Sequence, residues 1–201
     1  NKALKVEKID KKQVRRSPAA PFITSSLQME ASRKLGMSAS NTMRLAQRLY
    51  EGSTDDGGYI TYMRTDGTTL SEDAVKQCRD LINKDYGGKY LPDAPRLYKS
   101  KAKNAQEAHE AIRPTDLTRT PSMMKGKLEH DQWSLYDLIW KRTMASQMEN
   151  AIFDQMAIDF SDGTDDVILR ANGSVVTFDG FLTLYQESTD DEQHPAKPSA
   201  K

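Results

Sequence analysis

Cysteine is nearly missing from this chain. Cys78 stands alone among 201 residues, which excludes an intrachain disulfide and any cysteine-rich zinc motif. Nor is there an apolar run long enough to span a membrane, or a signal peptide. These absences lead one to expect a soluble, intracellular protein with no membrane partner. Net charge is also lacking, but only in the sum. Residues 1–127 carry 24 Lys and Arg against 15 Asp and Glu, while residues 128–201 carry 5 against 14. Such polarity suits a basic part that meets a polyanion and an acidic part that does not, although solvated helix faces are also often basic.

What is present begins with Leu4 and Val6 alternating with Lys5 and Glu7, a short strand-like opening that ends near Ile9. A basic run of Lys11, Lys12, Arg15 and Arg16 and the prolines Pro18 and Pro21 then read as an irregular linker. Leu27, Ala31 and Leu35 predict a helix capped at Thr24 or Ser25 and stopped by Gly36. Met43, Leu45, Ala46, Leu49 and Tyr50 predict a second, capped at Ser38 or Ser40 and stopped by Gly52. Two helices split by a glycine turn and followed by a strand have the order of a winged helix-turn-helix, an order that many non-binding helical hairpins share. Ser71 caps a third predicted helix with Val75, Cys78, Leu81, Ile82 and Tyr86 on one stripe, which makes Cys78 a small core residue. The longest helix is expected from about Asp131 to Met148. After it, Ile152, Asp154, Met156, Ile158 and Phe160 alternate as a strand. Val167–Leu169 and Val175–Phe178 are expected to pair across Asn172-Gly173 as a hairpin, and Phe181–Tyr185 to form a last strand. The polar stretch 188–201 is expected to be disordered.

The fold class expected is therefore α+β: a mainly helical, winged-helix-like domain over 18–150, inserted into a discontinuous antiparallel β-rich domain formed by 1–17 and 151–187. A short opening strand needs partners, and the C-terminal strands can supply them.

Chemistry concentrates in Gly58-Tyr59-Ile60-Thr61-Tyr62-Met63-Arg64-Thr65-Asp66. In a strand of period two, Tyr62, Arg64 and Asp66 share one face. A phenol beside a guanidinium can attack a phosphodiester, the oxygen as nucleophile and the planar cation holding phosphate oxygens. The same pattern also describes a half-buried strand with a surface ion pair. Arg96, Lys99, Lys101 and Lys103, with Tyr90 and Tyr98 near them, suit a nucleic-acid backbone with stackable bases, or an ordinary solvated loop. Asn104 and Glu107 form a capping-box pattern for a short helix carrying His109. His109 and Arg113, four apart, can present an imidazole and a guanidinium to one anion if that helix reaches Arg113, which Pro114 opposes.

Four stretches carry a resemblance: Pro21-Phe22-Ile23-Thr24-Ser25-Ser26-Leu27-Gln28, Ala46-Gln47-Arg48-Leu49-Tyr50-Glu51, Gly58–Asp66, and Ala105-Gln106-Glu107-Ala108-His109-Glu110-Ala111-Ile112-Arg113-Pro114. Their sequence and order closely resemble bacterial-type DNA topoisomerase I, a type IA topoisomerase, from about residue 3 to residue 186. Met29–Gly36 looks like the cyanobacterial and plant-organellar branch. The resemblance implies a location with DNA, in a bacterial cytoplasm or in a chloroplast or mitochondrion. It implies that Tyr62 attacks single-stranded DNA to form a 5′-phosphotyrosine, that Arg64 positions the scissile phosphate, and that His109 contributes to DNA binding and cleavage. Asp66 matches a family aspartate near the site, assigned here to orienting Arg64. Arg113, Lys101 and Lys103 are added as DNA contacts on the basic-patch argument. Residues 18–150 become the tyrosine domain, and 1–17 with 151–187 part of the β-rich arch that swings it.

Departures from the family pattern matter equally. Its metal-binding Asp-x-Asp-x-Glu cluster belongs to a separate Toprim domain, and Asp162, Asp165-Asp166 and Asp190-Asp191-Glu192 have the wrong spacing. Mg²⁺ is thus expected in the complete enzyme and not in this stretch, with single-stranded and negatively supercoiled DNA and the Toprim half as partners. The isolated chain is expected to bind single strands weakly without turnover. A non-catalytic helix-turn-helix DNA-binding module is the alternative.

Overall fold

The structure, a computed structural model, describes residues 4–54, 57–98, 110–163 and 168–186. Three long strands come from the two ends of that span and five helices from the middle. β1 (Lys5–Arg16) pairs antiparallel with β2 (Ala151–Ser161), and β2 with β3 (Ile168–Phe178), in the order β1-β2-β3. The helices are α1 (Thr24–Leu35), α2 (Ala39–Glu51), α3 (Glu72–Asp85), the short α4 (Pro121–Met124) and α5 (His130–Ser146). The α+β arrangement is as the sequence suggested, with helices lying between strands drawn from both ends.

Three strand expectations change. The basic run at 11–16 is not a linker: β1 continues through it, because eleven residues of β2 offer partners as far as Arg16 opposite Ala151. Charged side chains sit without strain on such an exposed outer strand. Asn172-Gly173 does not turn the chain. β3 runs straight through these residues opposite Ala157 and Met156, so the reversal falls between β2 and β3 instead. Phe181–Tyr185 is no strand either. A 3-10 turn at Gly180–Thr183 drops Phe181 and Tyr185 into the helical core, where both are buried. The expected disorder of 188–201 lies outside the described residues.

Facing in β2 also differs from its pattern. Ala151, Phe153, Asp159 and Ser161 are buried, while Met156, on the apolar side of the alternation, is exposed. Register places Val6, Ile9, Ile158, Phe160, Met156, Leu169 and Val175 on one face, since directly opposed residues share a side. Within this chain that face is largely open.

Helix α5 is the spine of the core. Leu135, Tyr136, Ile139, Trp140 and Met144 meet Leu27 and Ala31 of α1, Leu45 and Leu49 of α2, and Cys78 and Ile82 of α3. Burial pushes the Cys78 thiol up to about 12, against the opposing pull of Arg113, which confirms an inert core residue. Buried Arg142 donates from Nε to the Ala20 carbonyl at 2.6 Å and lies over the rings of Phe22 and Tyr185. The Tyr185 hydroxyl donates to buried Glu30 at 2.6 Å. Together these contacts pin the stretch after β3 onto α1 and α5.

Candidate active site

The tyrosine stretch is extended but not a ladder strand. Its β pairing is a single bridge, Ile60 to Pro114. Burial nevertheless alternates: Tyr62, Arg64 and Asp66 are exposed, and Met63, Thr65 and Gly67 are buried. Tyr62 is 47% exposed, so it is no core residue. Neither the Tyr62 hydroxyl nor the Arg64 guanidinium is hydrogen-bonded to another described residue.

Backbone contacts from three directions hold this segment in place of a sheet. On one side, Thr61 N donates to the Arg113 carbonyl at 2.9 Å and Thr115 N to the Tyr59 carbonyl at 3.0 Å. The Thr61 hydroxyl donates to the Ala111 carbonyl at 2.7 Å and accepts from Arg113 N at 3.0 Å. From α1, the Thr24 hydroxyl donates to the Met63 carbonyl at 2.7 Å and accepts from Thr65 N at 2.9 Å, gripping the residues on both sides of Arg64. Thr24 is thereby spent, and the helix start is closed by Ser26, whose hydroxyl accepts from Ile23 N at 3.0 Å. From α2, the Leu49 carbonyl accepts from Tyr59 N at 2.7 Å.

Helix α2 ends at Gly52, whose φ of 68° favours glycine. A Cβ there would sit 1.6 Å from the Gly57 carbonyl oxygen, and one on Gly58 would sit 2.4 Å from the Tyr50 carbonyl oxygen. These close approaches fold the loop back along the last turn of α2. Tyr50 and Tyr62 consequently meet edge-to-face, with ring centroids 5.4 Å apart and planes at 65°.

Arg113 is not aimed at an external anion. Its Nε and Nη2 donate to the two Glu110 carboxylate oxygens at 2.8 and 3.0 Å, and Nη1 donates to the Pro114 carbonyl at 2.8 Å. Glu110 also accepts from Ser71 N at 2.7 Å, just before α3. Burial alone would raise the Glu110 carboxyl, but the donors from Arg113 and Ser71 outweigh it and hold the group below the ordinary glutamate value. Arg113 braces its own segment, because a forked cation finds its carboxylate three residues away.

The basic loop changes in the same way. Arg96 donates from Nε to the Met148 carbonyl and from Nη2 to Asn150 Oδ1, each at 2.7 Å. The Tyr98 hydroxyl lies 2.8 Å from the Ser146 carbonyl, and burial pushes it up to about 12. Both residues fasten the loop to the end of α5. Lys99, Lys101, Lys103, the helix expected from Asn104, and His109 lie outside the described residues. His109 directly precedes Glu110, itself bridged to Thr69.

The sequence does not single out Tyr50, Glu110 or Thr24. Tyr50 falls on the apolar stripe of α2, although it is 41% exposed. Thr24 has the pattern of a helix cap, and nothing in the spacing of Glu110 or Thr24 names a partner.

Among the described residues, no group of three or more His, Cys, Asp or Glu side chains could hold a metal ion.

Comparison with known proteins extends this picture. A family model described as DNA topoisomerase matches residues 1–201. DNA topoisomerase 1 of Rickettsia felis is 60% identical over 191 residues, covering 93% of this chain and 24% of that protein. The Zymomonas mobilis protein of the same name is 53% identical over 186 residues, 92% of this chain and 14% of that protein. Full-length topoisomerase I of Thermotoga maritima superposes with a TM-score of 0.79 at 36% identity, covering 96% of this chain and 31% of that one. The chain thus spans about a quarter of the length of the Rickettsia relative. These relatives are bacterial and lend no support to a plant-organellar origin.

Proposed function

Because this chain belongs to the DNA topoisomerase family, we propose that it carries the strand-cleaving tyrosine of a type IA enzyme and acts on single-stranded DNA in a bacterial cytoplasm. The observation that carries this reading is the exposed pair Tyr62 and Arg64, neither hydrogen-bonded nor ion-paired to a described residue and held on a backbone braced from three sides.

In the proposed step, Tyr62 Oη gives up its proton and attacks phosphorus, and a P–O bond to tyrosine forms. The bond from phosphorus to the 3′-oxygen breaks, that oxygen takes up a proton, and the 5′ end remains as a phosphotyrosine. Resealing is the reverse attack by the 3′-hydroxyl. Arg64 holds non-bridging oxygens and offsets the charge that builds in the transition state; Asp66 stands on the same exposed side of the segment without a hydrogen bond to that guanidinium. His109, Lys101 and Lys103 add DNA contacts. The helix pair α1 and α2 leading into the tyrosine segment supports kinship with winged-helix folds. The three-stranded sheet is the part of the arch that carries this body as the gate opens, so that another strand passes and negative supercoils relax.

Activation of the phenol and relief of the leaving oxygen need more than Arg64, and the proposal assigns them to a metal-binding acidic half outside this chain. Alone, the chain binds single strands weakly and does not turn over.

The test is covalent capture. A labelled single-stranded oligonucleotide is incubated with Mg²⁺ and this chain, with and without the acidic half of a full-length relative. The expected result is a DNA adduct at Tyr62 only when both parts are present. Binding with no adduct in the complete mixture would instead favour a non-catalytic DNA-binding module.

A further inference from the structure

The nucleophile proposed above has an aromatic partner that the reaction does not name. We propose that Tyr50 is a positioning residue for Tyr62, holding the phenol in the orientation from which it attacks. This inference rests on the assignment of Tyr62 as nucleophile.

Geometry carries the argument. Tyr62 stands exposed on an extended segment with no hydrogen bond to a described residue, so its ring has little internal restraint. An exposed phenol of that kind exchanges rotamers on a picosecond to nanosecond timescale, whereas attack requires one direction of approach. The edge-to-face contact at 5.4 Å is the ring–ring restraint on it. Aromatic pairs prefer this arrangement because the electropositive ring edge meets the electronegative face.

The contact is built rather than incidental. Residues 50 and 62 are twelve apart and meet only because the loop closes over glycines whose Cβ positions are already taken by backbone oxygen. Ser53 and Gly57 exchange backbone hydrogen bonds at 3.3 and 3.0 Å, and Tyr59 N reaches the Leu49 carbonyl. The backbone on both sides of the pair is therefore fixed, that of Tyr50 within the last turn of α2.

Tyr50→Phe keeps the ring, and Tyr50→Ala removes it. In the capture assay with the acidic half present, the alanine variant is expected to form adduct about two- to tenfold more slowly at saturating oligonucleotide, the population change such a ring pair supports. The phenylalanine variant is expected to match wild type, and half-saturation to stay the same in both. Equal rates for Tyr50→Ala overturn the proposal. So does a higher half-saturation with an unchanged saturating rate, which would make Tyr50 a base-stacking platform.

An independent readout uses this chain alone. Ring-proton resonances of Tyr62 are expected to carry a ring-current shift that Tyr50→Phe preserves and Tyr50→Ala removes. Resonances indifferent to both substitutions overturn the proposal. Should wild type form no adduct while the ring-current shift behaves as expected, the assignment of Tyr62 as nucleophile fails and the pairing of the rings stands.

Discussion

Thr61 and Arg113 lie 52 residues apart, and each backbone N–H bonds the other residue, Thr61 N to the Arg113 carbonyl at 2.9 Å and Arg113 N to the Thr61 hydroxyl at 3.0 Å. That double link places the segment bearing Tyr62 beside the segment bearing Glu110 without any sheet between them. Thr61→Val retains the first bond and strips a partner from Arg113 N and the Ala111 carbonyl. A loss of about 1–3 kcal/mol is expected, measured as a lower denaturant midpoint with an unchanged slope.

Tyr62→Phe removes the attacking oxygen and leaves the ring pair with Tyr50. Adduct formation is expected to vanish while oligonucleotide affinity and thermal midpoint hold. Arg64→Ala is expected to slow adduct formation by roughly 10²–10³ with little change in stability, since the guanidinium has no partner among the described residues. A quench-flow time course of adduct, beside a thermal melt, separates the two effects.

Acid sensitivity follows from Glu110. Its carboxyl is held below the ordinary glutamate value in the folded chain. The unfolded chain therefore binds the proton first as pH falls. The contribution is complete above the ordinary value, about 4.3, and is lost as pH drops through the lowered one. Glu110→Gln is expected to be less stable than wild type at pH 7, with the gap narrowing steadily below about pH 4.3. Urea titrations across that range would show the convergence; a constant gap contradicts the account.

Gly52 tolerates no side chain. Gly52→Ala imposes a left-handed residue worth about 1–3 kcal/mol of strain and drives a methyl into the Gly57 carbonyl. The loop must open, which separates Tyr50 from Tyr62. Stability and the Tyr62 ring-current shift are therefore expected to fall together in this variant, whereas Tyr50→Ala changes the shift with little effect on stability.

Local signals in the sequence suffice where a single element decides the outcome. The stripe of α3, the stops at Gly36 and Gly52, and the alternating exposure around Tyr62 all depend on neighbours a few residues away. Long-range competition defeated the rest. Asn172-Gly173 is a strong turn signal, yet β2 offers an unbroken partner and the ladder wins. Thr24 is a good cap, but two backbone groups near Arg64 claim its hydroxyl. Arg96, Tyr98 and Arg113 look like a polyanion-binding set because composition cannot reveal that carbonyls and a carboxylate already occupy them.

One face of the sheet carries Val6, Ile9, Leu169 and Val175, each about half exposed or more. Apolar area of that kind drives association when nothing covers it. The isolated chain is expected to self-associate as concentration rises, and the double substitution Ile9→Lys with Val175→Lys to suppress this in sedimentation velocity.

The pairing of β1 with β2 also fixes an order of events in synthesis. Lys5 emerges first, yet its partner Ser161 is made more than a hundred and fifty residues later. At roughly 5–20 residues per second, the two strands are made on the order of ten seconds or more apart. The helices need only one another and can condense during that interval, bringing the ends of 17–23 and 147–150 together. Closure of the β1–β2 pair then joins two strands already held side by side, so most of the loop-closure entropy of this late, non-local pairing has been met by the body that forms before it.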